Sequence, residues 1–257
     1  MLVSSALVQL GREPRLLPYF VLLVLIAIAF VGAFFMPEPV RQRSRLRLTI
    51  ELPRVPASVR GPFLLAALAV FSSWSIGALF FSLGPELGAH LFGTSNHLVA
   101  GLGVVVLAAA AVASQLVTGR GAPWIAASSG SAALAAGIAL IVVAAATGTS
   151  TLYLAGSLVA GVGFGAAFLG GLRALVAQIP AEHRAAVLSA FYVVAYGSLS
   201  IPAILAGVTV SYISLESTFE IFGSVVAALA LVVALQAWRT RPARLTPGKE
   251  VALVPAS

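Results

Sequence analysis

Residues 121–172 of this chain contain no formal charge, a run of 52 positions. As a single helix rising 1.5 Å per residue it would be about 78 Å long, more than twice the roughly 30 Å hydrocarbon core of a bilayer. The run therefore has to fold back. Its one polar cluster, Thr147-Gly-Thr-Ser-Thr151, marks the turn and predicts two spans, 123–146 and 152–178. A water-facing surface cannot cover such a hairpin here. Only 9% of the residues are charged and the mean hydropathy is +1.05, whereas soluble domains carry about a quarter charged residues. The chain reads as an integral membrane protein. Strands of this apolarity would not close a barrel, so the spans are helical.

The rest of the chain adds five spans. The first, 16–36, ends at Pro37-Glu-Pro39, where two prolines stop a helix. A linker with Arg41, Arg43, Arg45, Arg47, Arg54 and Arg60 follows. Pro62 then opens a span at 62–83, closed by Gly84-Pro85-Glu86. A third covers 98–117. The sixth begins after Pro180-Ala-Glu-His-Arg184 and reaches about 210, with a kink expected at Pro202; the seventh covers 219–238. The fold class is thus all-α, a polytopic membrane protein of seven transmembrane helices. Residues 1–10 are apolar but too short to cross a bilayer, and they lack the marks of a signal peptide. They read as the tail of a helix whose beginning lies upstream.

Charge sets the sidedness. With the Arg-rich linker in the cytoplasm, alternation puts 13 of the 15 basic residues on the inner side, Arg12 and Arg15 being the exceptions. The N-terminus is then outside and the C-terminus inside, in a plasma (inner) membrane. Trp124 and Trp238 fall at inner boundaries, and Tyr19, Tyr153 and Tyr212 at outer ones, as in an aromatic belt. The formal charge of +7 fits anionic headgroups of the lipid bilayer better than a nucleic acid, because the basic residues flank apolar segments without interleaved aromatics.

Motifs for catalysis are lacking. Without Cys there is no disulfide, thiolate site or Cys nucleophile, and His90, His97 and His183 are too scattered to share a metal. No cofactor, metal or enzyme activity is expected. Gly161-Val-Gly163-Phe-Gly165-Ala166 matches the dinucleotide fingerprint in form, but it lies within an apolar span instead of opening a helix after a strand. Gly156, Ala160, Gly163, Ala167 and Gly171 read instead as a small-residue stripe for a close helix neighbour.

Two polar stripes are the candidates for a substrate path. Ser189, Tyr192, Tyr196 and Ser200 recur at spacings of three and four and share one helical face; Ser72, Ser75 and Ser82 form a similar series in the second span. Gln115 and Arg173, near the inner ends of their helices, are further candidates, although Arg173 has the reach to snorkel to the interface. Every Asp and Glu lies in a loop, a tail or a helix end, so no deep carboxylate offers a proton carrier.

The stretch from Ile179-Pro-Ala-Glu-His-Arg184 through Tyr196-Gly197 to Ile201-Pro202 and Gly207, with the Gly-rich fifth span and the Arg-rich linker, resembles the major facilitator superfamily. On that resemblance, 1–36 is the end of an N-terminal half (tail of helix five and helix six), and 37–61 the cytoplasmic central loop. Residues 62–238 would be the six-helix C-terminal transport bundle and 239–257 a cytoplasmic tail. The resemblance implies transport of a small-molecule substrate by alternating access, efflux or uptake, leaves room for a coupling ion such as H+, and places helices seven, eight, ten and eleven, which carry the polar stripes, on the cavity. It also implies an incomplete chain that does not transport alone. The rival is a non-transporting membrane subunit that pairs with another membrane protein. A seven-helix receptor fits less well, since Lys249 in the tail is the sole Lys and no disulfide can form.

Overall fold

The computed structural model describes residues 16–35 and 55–240. Among these the chain is helical throughout: α1 (Leu17–Phe34), α2 (Arg60–Ser82), α3 (Gly84–Phe92), α4 (His97–Ala100), α5 (Leu102–Thr118), α6 (Pro123–Thr147), α7 (Ser150–Val176), α8 (Arg184–Thr209) and α9 (Leu215–Arg239). Single 3-10 turns precede α2 (Ala57–Val59) and α8 (Ala181–His183). Five helical stretches are long and apolar enough to cross a membrane: Ala57–Ser82, Pro123–Thr147, Ser150–Val176, Ala181–Thr209 and Leu215–Arg239. Two shorter apolar helices, Tyr19–Phe34 and Leu102–Thr118, stand beside them. The chain is a membrane-embedded helical protein.

The charge-free run folds as its composition requires. α6 ends at Gly148, whose φ of +67° is the left-handed cap that a residue without Cβ adopts freely, and α7 starts two residues later. The two helices then pack antiparallel with backbones nearly touching. A Cβ added at Gly130, Gly137, Gly163 or Gly170 would collide with backbone atoms of Ala167, Ala160, Leu134 or Ala127 across the interface. The facing pairs run in opposite directions along the two helices, so this is one continuous glycine seam. Gly161 and Gly165 face another way, onto the Leu107 and Ala111 carbonyls of α5, and Gly171 faces Ala66 and Ala69 of α2. Of the small-residue stripe expected on this helix, Gly156, Ala160, Gly163 and Ala167 do line one close neighbour, α6, while Gly171 faces α2 and the Gly161–Gly165 pair adds a third contact line. α7 carries glycine on most of its circumference because it has a close neighbour on most of it.

Three expectations need correction. The span at 98–117 is divided: Asn96 caps α4 by accepting from the Leu98 and Val99 amides (2.9 and 3.4 Å), and α5 begins only after Gly101. Its 17 residues measure about 26 Å, short of a bilayer core. Gly84-Pro85-Glu86 does not merely end α2 but opens α3, with Pro at a first-turn position where its missing N–H costs nothing. And Tyr153 is not an interfacial anchor. It is fully buried, stacks on Phe80 (5.8 Å between ring centroids), and donates from its hydroxyl to the Gly84 carbonyl at 3.1 Å. It ties α7 to the α2–α3 junction. The linker arginines from Arg41 to Arg54, the segment 1–10 and the tail arginines beyond 240 lie outside the described residues.

The packing of the long helices has a regular form. Grouped as α2, α5, α6 and α7, α8, α9, the triplets interlock: α2 packs on α8 and α5 on α7, α6 packs on α7 and α9 on α2, and α2–α7 and α6–α9 complete the set. Contacts within either triplet are sparse. Exchanging one triplet for the other leaves this list of partners unchanged. Directions agree as well: α2 runs parallel to α8 (Ala66 and Val70 in one cluster with Val187 and Phe191, then Ser75 beside Ser198), and α5 parallel to α7 (Leu107 beside Gly161, then Ala111 beside Gly165).

The interlocking produces two ends. At one gather Arg60, Arg120, Arg173, Arg184 and Arg239, with Trp124 and Trp238 edge to face at 5.9 Å. A core of Val59, Ala66, Val70, Leu175, Val187 and Phe191 lies beneath them. At the other stand Glu86, Glu216 and Glu220, where His90 Nε2 lies 3.2 Å from Glu216 Oε1 and links α3 to α9.

Candidate functional site

α8 has one packing face and one open face. Val187, Phe191, Ala195 and Ser198 are buried against the bundle, chiefly against α2. Ser189, Tyr192, Tyr196 and Ser200 lie on the opposite side, as 100° per residue requires, and all four are exposed, Tyr192 by 46% and Tyr196 by 61%. Tyr196 is twelve residues into the helix, about 18 Å from its start and near its midpoint. The stripe therefore occupies the depth at which a spanning helix meets hydrocarbon or something more polar.

The hydroxyls of this stripe differ from those of α2, whether buried as at Ser72 and Ser73 or exposed as at Ser82. Ser72 donates to the Leu68 and Ala69 carbonyls (3.0 and 3.1 Å), Ser73 to Ala69 (2.7 Å) and Ser82 to Ala78 (2.7 Å). Each satisfies itself on its own helix, the usual outcome for Ser where no other partner is near. The side-chain hydroxyls of Ser189, Tyr192, Tyr196 and Ser200 have no partner among the described residues. Left in hydrocarbon, each would cost on the order of 2 kcal/mol or more. Spread from about 8 to 24 Å along the helix, with Tyr196 near its midpoint, they call for water or a polar surface.

An aromatic group adjoins the stripe. Trp74 of α2 lies edge to face against Tyr196 (5.8 Å, 90°) and tilted against Phe168 of α7 (5.7 Å), and Tyr192 sits 6.4 Å from Tyr196. The Trp74 indole N–H is buried and has no hydrogen-bond acceptor among the described residues. Neither Trp74 nor Phe168 was singled out from sequence. The available signal was a lone Trp in the middle of a span, away from the interfacial belts where Trp collects.

The other candidates fall elsewhere. Ser72 and Ser75 are buried in helix packing, and Ser75 donates to the Ser198 carbonyl at 3.3 Å. Ser82 is at the acidic end. Gln115 is half-buried on α5 near the basic end. Arg173 neither points along the stripe nor reaches into solvent alone; its guanidinium donates to the carbonyls of Thr118 (3.2 Å) and Gly121 (3.0 Å). That places a positive charge on the C-terminal carbonyls of α5, where the helix dipole favours it. The structure thus brings Ser189, Tyr192, Tyr196 and Ser200 together on one open face and leaves Ser72, Ser75, Ser82, Gln115 and Arg173 out of it.

Among the described residues no group of three or more His, Cys, Asp or Glu could hold a metal ion. Compared with protein-family models, curated proteins and solved structures, the chain gives no match.

Proposed function

We propose that this chain forms one wall of a solute path through the membrane and serves transport of a small solute by alternating access, with α2 and α5 to α9 acting as a six-helix bundle of the major facilitator type and α1 as a seventh span. The open hydroxyl stripe on α8 carries the reading: a spanning helix that turns unsatisfied hydroxyls away from its own bundle at mid-depth needs water there. The exchange-invariant packing of the two triplets supports it, because inverted three-helix repeats are how such bundles switch access from one side to the other. The gathering of five arginines at one end is consistent with that end being cytoplasmic. Residues along the stripe carry no formal charge, which suits an uncharged solute.

The absence of Cys makes the test direct, because every introduced thiol is the sole one. In native membranes, Tyr196→Cys and Ser200→Cys are expected to react with a charged, membrane-impermeant thiosulfonate. Leu231→Cys, exposed on α9 within the apolar stretch, is expected to stay inert. If Tyr196→Cys and Ser200→Cys are as inert as Leu231→Cys, no water reaches the stripe and the transport reading fails. Cross-linking of those unreactive thiols to a second membrane protein would then support the helper role.

A further inference from the structure

Pro202 sits inside α8 and is buried. Lacking an N–H, it leaves the carbonyl four residues earlier, that of Ser198, without its helical partner. Inside a membrane such a carbonyl needs another donor. Ser75 provides one from α2: its Oγ donates to the Ser198 oxygen at 3.3 Å, and the residue is only 1% exposed. The Ser198 hydroxyl is not available for the task, since it turns back to the Ala195 carbonyl at 2.7 Å. Ser75 is the inward-facing serine of this region that bonds across helices and not to its own preceding turn.

The two sides of the break are held unequally. Before it, Val187, Ala190, Phe191 and Ala195 are buried. Beyond it, Ala206 alone is buried among residues 203–209. Gly197 and Gly207, one on each side, have open space where a Cβ would be. A well-anchored segment therefore meets a sparsely packed one at the point where the helical ladder is interrupted, and a single interhelical hydrogen bond spans the interruption. Such bonds inside bilayers are weak enough to open thermally.

We infer that Ser75 is a positioning residue for a hinge in α8. Its hydroxyl holds the carbonyl freed by Pro202 and sets the angle at which residues 203–209 leave the bundle, and releasing that bond lets the segment swing. The hinge does not depend on the transport reading, and it can be measured with no solute present.

Pairs of spin labels on the Cys-free chain, reconstituted in liposomes, supply the measurement. One pair, at Val143 and Val208, spans α6 and the segment beyond the hinge. A reference pair, at Ile125 and Val193, spans α6 and the anchored part of α8. Ser75→Ala is expected to widen the 143–208 distance distribution and add a longer-distance shoulder, leaving the 125–193 distribution unchanged. Ser75→Thr, which keeps the hydroxyl, restores the narrow distribution. Pro202→Ala returns the missing N–H to the ladder, so Ser75→Ala becomes silent in that background. The hinge is refuted by any of three results: an unchanged 143–208 distribution in Ser75→Ala, equal broadening of both pairs, or equal broadening with Ala at 202. Equal broadening of both pairs would mark Ser75 as a general packing residue.

Discussion

α7 and α8 follow one another in the chain and have nearly the same length, 27 and 26 residues, yet they are held in opposite ways. α7 has neighbours on three sides, with α6 and α5 in backbone contact and α2 close behind. α8 leans on α2 along one side, and among the described residues its other side is open. Small residues make the difference. Without a hydrophobic driving force between helices in lipid, close backbone approach and dispersion contact supply the adhesion. α7 uses glycine for that approach, while α8 packs through Val187, Phe191, Ala195 and Ser198 and turns Ser189, Tyr192, Tyr196 and Ser200 outward. One helix acts as the spine of the bundle, and the other as a movable wall.

The harshest way to break this contrast is to put a methyl group into the spine. At Gly163 a Cβ would meet the Leu134 backbone and lie 2.7 Å from the Gly130 carbonyl oxygen, neither of which can move without parting the two helices. Gly163→Ala is expected to cost about 3 kcal/mol, toward the upper part of the range for overpacking, because backbone must yield here and not a side chain. Thermal unfolding in detergent measures it, and Gly163→Leu is expected to abolish the folded state. A Gly163→Ala protein with unchanged Tm would mean that α6 and α7 are not in backbone contact.

How far the sequence reveals all this depends on what each segment must satisfy. The hairpin of α6 and α7 is legible because a charge-free run of that length has one solution, and its turn falls at the polar cluster. The α8 stripe is legible because spacings of three and four fix a common face. Which way a face points is another matter. Ser72 and Ser75 make as good a stripe in sequence as Ser189 and Ser200, and periodicity alone cannot tell whether a neighbouring helix or an open space lies opposite. α3 is hidden because a short helix opened by Gly and Pro looks like loop, and the separation of α4 from α5 at Gly101 is hidden because the apolar run continues across it. Tyr153 misleads for a related reason: a tyrosine at a span boundary suits either a headgroup or a buried carbonyl, and only the proximity of Gly84 decides.

Arg173 gives an intermediate test, at the place where the spine meets α5. With its two bonds to the Thr118 and Gly121 carbonyls removed, Arg173→Gln is expected to destabilise the α5 terminus by about 1 kcal/mol. Hydrogen exchange should then speed up in the turn at 119–122, with the α8 stripe unaffected. Had the side chain merely snorkelled to the interface, exchange in that turn would not change on substitution. An altered thiol reactivity at position 196 in Arg173→Gln would instead connect the spine to the wall.

The smallest effect has the opposite sign and probes the wall. At Gly197 a Cβ would meet nothing within 4 Å, and the backbone there is ordinary helix. Replacing a helical glycine with alanine under those conditions removes about 0.5–1 kcal/mol of unfavourable backbone entropy and adds no clash. Gly197→Ala is therefore expected to raise Tm slightly, by about 2 °C on the scale usual for 150–250 residues, whereas the same substitution at Gly163 lowers it steeply. Loss of stability at Gly197 would carry a specific meaning. Some neighbour absent from the described bundle would then press against α8 as closely as α6 presses against α7. The open hydroxyl face would be a helix interface and not a wetted wall, and the contrast between the two helices would vanish.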